Sequence, residues 1–228
     1  MAGQINEETK YGVLKMDAND YRNLEQGSDA WKKARCGKVT ASRVSDVMAK
    51  LKTGGYGASR DDYMAQLICE RLTGEVAESF TNSAMQWGTE TEPMARAHYE
   101  MVNSVLVDQV GFIAHPDIKM AGASPDGIVG NGIIEIKCPN TSTHIDTLLN
   151  KKVPAKYIKQ IQFQLRCTGK EWCDFVSFDP RLKGLEMFTK RVERDEKLIS
   201  KMDTEVVKFL SDLDEKLELL MKEKNGTA

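Results

Sequence analysis

The sequence predicts an α/β fold in which a central mixed sheet is flanked by helices. Three observations lead there. The first hundred residues carry helix caps and glycine stops, residues 105–138 switch to strand patterning around a tight glycine turn, and the last part alternates helix, two strands and a long helical stripe. With 228 residues, 41% of them apolar, the chain is long enough to bury one sizeable core, and residues 1–228 read as a single domain.

Taken in order, Ser28 before Asp29, Ala30 and Trp31, with Gly37 after Cys36, marks a short capped helix with a glycine stop. Thr40 is the expected cap of a second helix running to about Lys50. Thr53 to Gly57 is expected to be a flexible loop, and Asp61 or Asp62 to open a helix through Tyr63, Leu67, Ile68 and Leu72 that stops at Gly74. A further helix from about Met85 to Asn103 carries Glu90, Glu92, His98 and Glu100, with Pro93 in its first turns. Strand patterning follows from Val105 to His115, at Lys119 to Ala123, from Asp126 to Val129 and from Ile133 to Cys138, with Gly130-Asn131-Gly132 as the tight turn between the last two. Pro154 opens a helix through Tyr157, Ile161 and Leu165 that stops near Gly169; Trp172 to Phe178 and Leu185 to Val192 are strands. Ile199, Met202, Val206, Phe209, Leu213, Leu217 and Leu220 recur at steps of three and four, the stripe of an amphipathic helix over about 195–223 that packs on the body of the domain or on another subunit.

Composition narrows the function. The formal net charge is −2, so the molecule is not coated in basic charge, yet basic residues cluster. Between Trp31 and Arg60 eight lysines and arginines face one acid, Asp46, and between Lys137 and Lys170 seven face Asp146, local nets of +7 and +6. A polyanion would be drawn to those faces. The five cysteines, Cys36, Cys69, Cys138, Cys167 and Cys173, form no CxxC pair and suit free thiols in a reducing cytoplasm, the expected location. The histidines His98, His115 and His144 are scattered and spell no zinc motif, and no apolar run approaches membrane-spanning length.

The most informative stretch is Ser124-Pro125-Asp126-Gly127, followed nine residues after Asp126 by Glu135-Ile136-Lys137. Alone, the first is a turn signature and the second the wet face of a strand. A hairpin through Gly130 to Gly132 joins them: residues 135 and 137 share a face and Asp126 folds back beside them. Two carboxylates, an ammonium and the main-chain carbonyl of Ile136 then meet. Oxygen donors of this kind select hard cations such as Mg²⁺, and the set suits phosphodiester hydrolysis, with Lys137 orienting water and offsetting transition-state charge.

Pro125-Asp126 with Glu135-x-Lys137 resembles the PD-(D/E)xK nuclease motif. Ser124-Pro125-Asp126-Gly127 with Glu135-Ile136-Lys137-Cys138-Pro139 is similar to its lambda exonuclease or YqaJ-type viral recombinase branch. Gly27 to Trp31 followed by Arg35, Val39 to Ser42, and Trp87-Gly88 followed by Glu92 fit the same branch, so the resemblance runs from about Gly27 to Glu196. It implies a Mg²⁺-dependent 5′-to-3′ exonuclease of phage or prophage type. Such an enzyme consumes one strand of linear duplex DNA to 5′-mononucleotides, with two ions per site and Mn²⁺ able to substitute. It also implies a homotrimeric ring and, as partner, a single-strand annealing protein that takes up the 3′ tail. Carried over by position, Asp126, Glu135, the Ile136 carbonyl and Glu92 belong to the metal site and Lys137 is the catalytic lysine. Arg35, Ser42, Ser124 and Gln160 match the pocket for the 5′-phosphate, a guanidinium with hydroxyl and amide donors being a fitting grip. Local readings compete: Ser42 as a helix-start residue, Gln160 as a polar helix position, Glu92 as a first-turn acid. Where the superfamily often has a tyrosine four residues after a glutamine, this chain has Gln164 after Gln160 and Arg166 after Gln162, so either Gln160 or Gln162 faces DNA. The alternatives at the level of function are a sequence-specific endonuclease on the same fold and a catalytically silent DNA-binding module.

Overall fold

The computed structural model describes residues 20–77 and 82–226. Helix α1 spans Asp29–Arg35, with the Ser28 hydroxyl accepting the Trp31 N–H at 3.2 Å, and the chain leaves it through Gly37 at φ +67°. The expected helix from Thr40 to Lys50 is broken up. Thr40 closes strand β1 (Val39–Thr40), a 3-10 turn covers Ala41–Arg43, and α2 is a single turn, Val44–Val47. The Thr40 side chain does not cap: its hydroxyl pairs with that of Ser42 at 3.3 Å, while its N–H is taken by the Tyr63 phenol at 3.1 Å.

The Thr53 to Gly57 loop is likewise tied down. Lys50 and Tyr56 form an antiparallel bridge, and both side chains reach Glu205, at 2.6 and 2.9 Å. Helix α3 (Ala58–Thr73) starts at Gly57, ahead of Asp61, and ends at left-handed Gly74. Helix α4 (Ser83–Asn103) is capped by the Asn82 side chain and accommodates Pro93.

The strands build two sheets, a departure from the one expected. The smaller has order β1-β3-β2, with β2 at Ile113–Ala114 and β3 at Ala121–Ala123; β3 runs parallel to β1 and antiparallel to β2. The larger has order β4-β5-β6-β7: Gly127–Val129, Gly132–Lys137, Trp172–Phe178 and Met187–Glu193. Its β4/β5 and β6/β7 pairs are antiparallel and its β5/β6 pair parallel, so it is mixed as expected. The strand expected over Val105 to His115 shrinks to two residues because the Gly111 and Phe112 N–H groups turn to Arg22 and Tyr21 of the 3-10 turn Asp20–Asn23, at 2.8 and 2.9 Å. Before that only Asp108 bridges, to Ile128.

The parallel β5/β6 pair needs a crossover, and two helices supply it. Helix α6 (Ala155–Thr168) follows Pro154 and stops at left-handed Gly169 as expected. Helix α5 (Thr141–Asn150) was not expected. Asn140 caps it, but it shows no apolar stripe: Ile145 and Leu149 are exposed, and it buries His144 and Thr147 instead. His144 is held by the Ser177 hydroxyl at 2.7 Å and the Leu185 carbonyl at 2.9 Å.

Helix α7 (Glu196–Gly226) buries Ile199, Met202, Val206, Phe209, Leu213 and Leu217 in the core shared with α2, α3 and the smaller sheet, whereas Leu220 is exposed. A second buried cluster joins α4 to the larger sheet, and a third lies between that sheet and α6. No helix among the described residues is long and apolar enough to cross a membrane.

Candidate active site

The β4–β5 hairpin fixes the acids. Its register pairs Val129 with Gly132 and Gly127 with Ile134, with Gly130 at φ +54° in the turn. Gly127 was expected as a turn residue, but the position needs glycine for another reason: an added Cβ would run into a Val107 methyl group. Because β4 ends opposite Ile134, the β5 edge beyond it is open, and the Asp126 carboxylate occupies that edge, accepting the Ile136 N–H at 2.6 Å. The N–H and C=O of one strand residue point to the same side, so the Ile136 carbonyl shares this edge. Gln26, a position no motif signals, donates to the carbonyls of Val110 and Pro125 at 2.8 Å each and so holds the segment carrying Asp126.

Glu135 is fully buried on the face of β5 covered by α6. Gln160 and Gln164, one helical turn apart, donate to its two oxygens at 2.6 Å each, and the Lys137 ammonium pairs with the oxygen that Gln160 also uses. Lys137 also lies 5.5 Å from the centre of the Tyr157 ring. Gln162 faces elsewhere, donating to the Glu193 carbonyl at 2.7 Å and accepting from Asp195 N–H at 2.8 Å, so of the two glutamines Gln160 is the one at the acids.

Burial pushes the Asp126 carboxyl well above the usual carboxylate range. Glu135 and, more weakly, Glu92 push the same way, against Lys137 and the Ile136 N–H. Burial also opposes the charge on Lys137, but Glu135 and Asp126 outweigh it and raise its pKa, so the ammonium keeps its proton. Cys138 is pushed up to about 12 by burial and by Glu92 and Asp126, which leaves it a protonated thiol rather than a nucleophile. Glu92 is held at 2.5 Å by Arg96 one turn along α4 and acts on Asp126 through its charge. Among the described residues, no three His, Cys, Asp or Glu side chains converge closely enough to chelate an ion unaided. The Asp126, Glu135 and Ile136 donors are nevertheless all oxygen, and two mutually repelling carboxylates, one half-buried and one buried, outnumber the one ammonium beside them. That chemistry fits a hard divalent cation completing its shell with water and substrate.

Two residues before Asp126, Ser124 accepts from the Trp31 indole N–H at 3.0 Å and from Arg35 at 3.2 Å, and the guanidinium lies 4.0 Å from the centre of the Trp31 ring. Burial lowers the Arg35 pKa to about 10. The parallel pairing of Thr40 with Gly122 brings Ser42 and Ser124 off the ends of neighbouring strands, but the Ser42 hydroxyl is exposed and pairs with Thr40. The four residues expected at a phosphate therefore divide: Arg35 and Ser124 are joined, Ser42 pairs with Thr40, and Gln160 is tied to Glu135. Gln164 was missed as a site residue, although its spacing from Gln160 put both on one helix face.

Residues 30–171 match the YqaJ-like viral recombinase domain. The chain is similar to the alkaline exonuclease LHK-Exo from Laribacter hongkongensis, with 51% identity, a TM-score of 0.82 and coverage of 88% of this chain and 100% of that one. The crystal structure of LHK-Exo in complex with dAMP gives the same identity and coverage with a TM-score of 0.83. A phage-related exonuclease from Haemophilus somnus shares the fold at 19% identity and a TM-score of 0.63, over 82% of this chain and 96% of that one. The Escherichia coli K12 protein titled putative uncharacterized protein ExoD is 31% identical over 65 residues, 28% of this chain and 75% of that protein. With the PD-(D/E)xK fold built around Asp126, Glu135 and Lys137, the chain belongs to the YqaJ-like viral recombinase domain family.

Proposed function

We propose that the chain, acting as one nuclease domain, is a Mg²⁺-dependent exonuclease that degrades one strand of linear duplex DNA from its 5′ end to 5′-mononucleotides and leaves a 3′ tail. The observation that carries this reading is the convergence of Asp126, Glu135 and Lys137 on one hairpin, with the Arg35–Ser124 pair two residues from Asp126. DNA exonuclease activity rests on the family and on the similarity to LHK-Exo at 51% identity. In this reading Asp126, Glu135 and the Ile136 carbonyl would hold the metal, with Glu92 adding negative charge. When bound, Mg²⁺ or Mn²⁺, as one ion or two, supplies polarisation of the phosphoryl group and a water of lowered pKa.

The remaining work falls to side chains. Lys137, kept charged by its acidic neighbours, orients water and offsets charge developing on the phosphate. Arg35 and Ser124 grip the terminal 5′-phosphate, and the second amide hydrogen of Gln160 is free of Glu135 and adds a donor. A homotrimeric ring and a single-strand annealing protein that takes up the tail complete the reading. The test is incubation of linear and circular duplexes with Mg²⁺ and with EDTA. The expected outcome is loss of linear duplex alone, and only with Mg²⁺. Cutting of circles would favour the endonuclease, and no cutting of either a binding module.

A further inference from the structure

Three glutamines on α6 behave in three ways. Gln162 is a structural residue, partnered at both ends of its amide. Gln160 is half-buried and donates to Glu135 Oε1. Gln164 is buried to 1% exposure, gives its N–H to Glu135 Oε2 at 2.6 Å, and leaves its own Oε1 buried with no hydrogen-bond partner. An amide kept for stability would be satisfied at both ends, as Gln162 is; Gln164 instead spends its N–H on Glu135 and leaves its own oxygen orphaned. The amide orientation is not arbitrary, since only the N–H end can face a carboxylate.

We propose that Gln164 is a positioning residue for the hydrolysis, which rests on the reading of Glu135 as a metal ligand. The terminal torsion of a glutamate is soft, so one anchored oxygen does not fix the plane of the carboxylate. Lys137 and Gln160 share Oε1, and among the described residues Gln164 is the donor that holds Oε2. When a substrate phosphate also draws on the Gln160 amide, Gln164 keeps the Glu135 plane set. The carboxylate then presents the same lone pairs to the cation before and after DNA binds. Gln164 is too buried to touch substrate, so it acts through Glu135 alone.

The test uses the full chain with Gln164→Leu and, as a second apolar variant of different shape, Gln164→Met. Mn²⁺ binding to the DNA-free protein is followed by the EPR signal of free Mn²⁺, alongside Tm in EDTA and kcat and KM on linear duplex. Expected are a cooperatively folded protein at the assay temperature, with a Tm at or modestly below wild type because Glu135 Oε2 loses its donor, a loss of about 10–100-fold in Mn²⁺ affinity, a similar fall in kcat at limiting metal and an unchanged KM for DNA. Mn²⁺ affinity and kcat within twofold of wild type in both variants, or activity lost only in step with Tm, would overturn the role. Glu135→Gln separates the two readings. If it binds Mn²⁺ as wild type does, Glu135 is not a ligand and both fail; if it loses Mn²⁺ while the Gln164 variants keep it, only the role of Gln164 fails.

Discussion

Asp126 carries opposing demands. In the proposed function its carboxylate must stay charged to hold a cation, yet burial and the neighbouring Glu135 favour the proton, and Lys137 and the Ile136 N–H only partly offset them. A raised carboxyl pKa in the folded state gives stability that is complete while the group is protonated, below about pH 4, and lost as pH rises through the folded value. The contribution of this one group is therefore lost as pH rises through its folded value, and Asp126→Asn removes that loss. In EDTA at pH 8 the variant is expected to have a higher Tm than wild type, while added Mg²⁺ raises the wild-type Tm and leaves that of the variant unchanged. Thermal melts of both proteins with and without Mg²⁺ check this; a lower variant Tm in EDTA would mean that the carboxylate stabilises the fold rather than straining it.

At the level of elements, the crossover from β5 to β6 decides where the acids and their clamp sit, and α5 is its first helix. Its N-terminus is fastened by Thr141, whose hydroxyl donates to Asp179 at 2.7 Å, while Arg181 donates to the same carboxylate through its backbone N–H and guanidinium at 2.7–3.0 Å. Arg181 first, then the Thr141 hydroxyl, hold the Asp179 carboxyl below the usual carboxylate range. A lowered pKa gives stability that is present above about pH 4 and lost as pH falls through the folded value. Asp179→Asn is expected to lose about 1–3 kcal/mol at neutral pH, the scale of hydrogen bonds to a buried charge, with the gap to wild type narrowing below pH 4 in denaturant titrations. An equal gap at every pH would assign the loss to packing. Elements with a helical apolar stripe or a glycine turn were legible in the sequence, as α7, α6 and the β4–β5 hairpin were. Helix α5 was not, because it buries a histidine and a threonine and exposes Ile145 and Leu149. The split into two sheets was hidden because the Gly111 and Phe112 N–H groups go to the Asp20–Asn23 turn and that of Asp108 to Ile128, contacts that no local pattern encodes. Asp126, Glu135 and Lys137 were legible because one short turn brings them together. Gln26, which reaches Pro125 across 99 positions of sequence, was not.

Over the whole molecule, α7 acts as the brace. Lys50 and Tyr56 reach it at Glu205, Arg60 at Asp212 and Arg71 at Asp214, while Arg166 and His115 meet at its Asp203. The N-terminal helices, the smaller sheet and α6 are thereby fixed to one element, and the Arg35–Ser124 pair is held in register with the acids on the larger sheet. In the proposed function that register is what lets the enzyme read an end: a grip on a terminal phosphate at a set distance from the cutting centre. The decisive measurement is a time course of product lengths from a linear duplex labelled at one 3′ end. The labelled strand carries either a 5′-phosphate or a 5′-hydroxyl, and wild type, Arg35→Ala and Asp126→Ala are compared at one salt concentration with Mg²⁺. The account predicts labelled strands that shorten steadily from the 5′ end, faster with the 5′-phosphate, a preference largely lost in Arg35→Ala and no shortening with Asp126→Ala. Immediate release of the label as a mononucleotide, discrete internal fragments, or shortening by Asp126→Ala at a rate near wild type would contradict it.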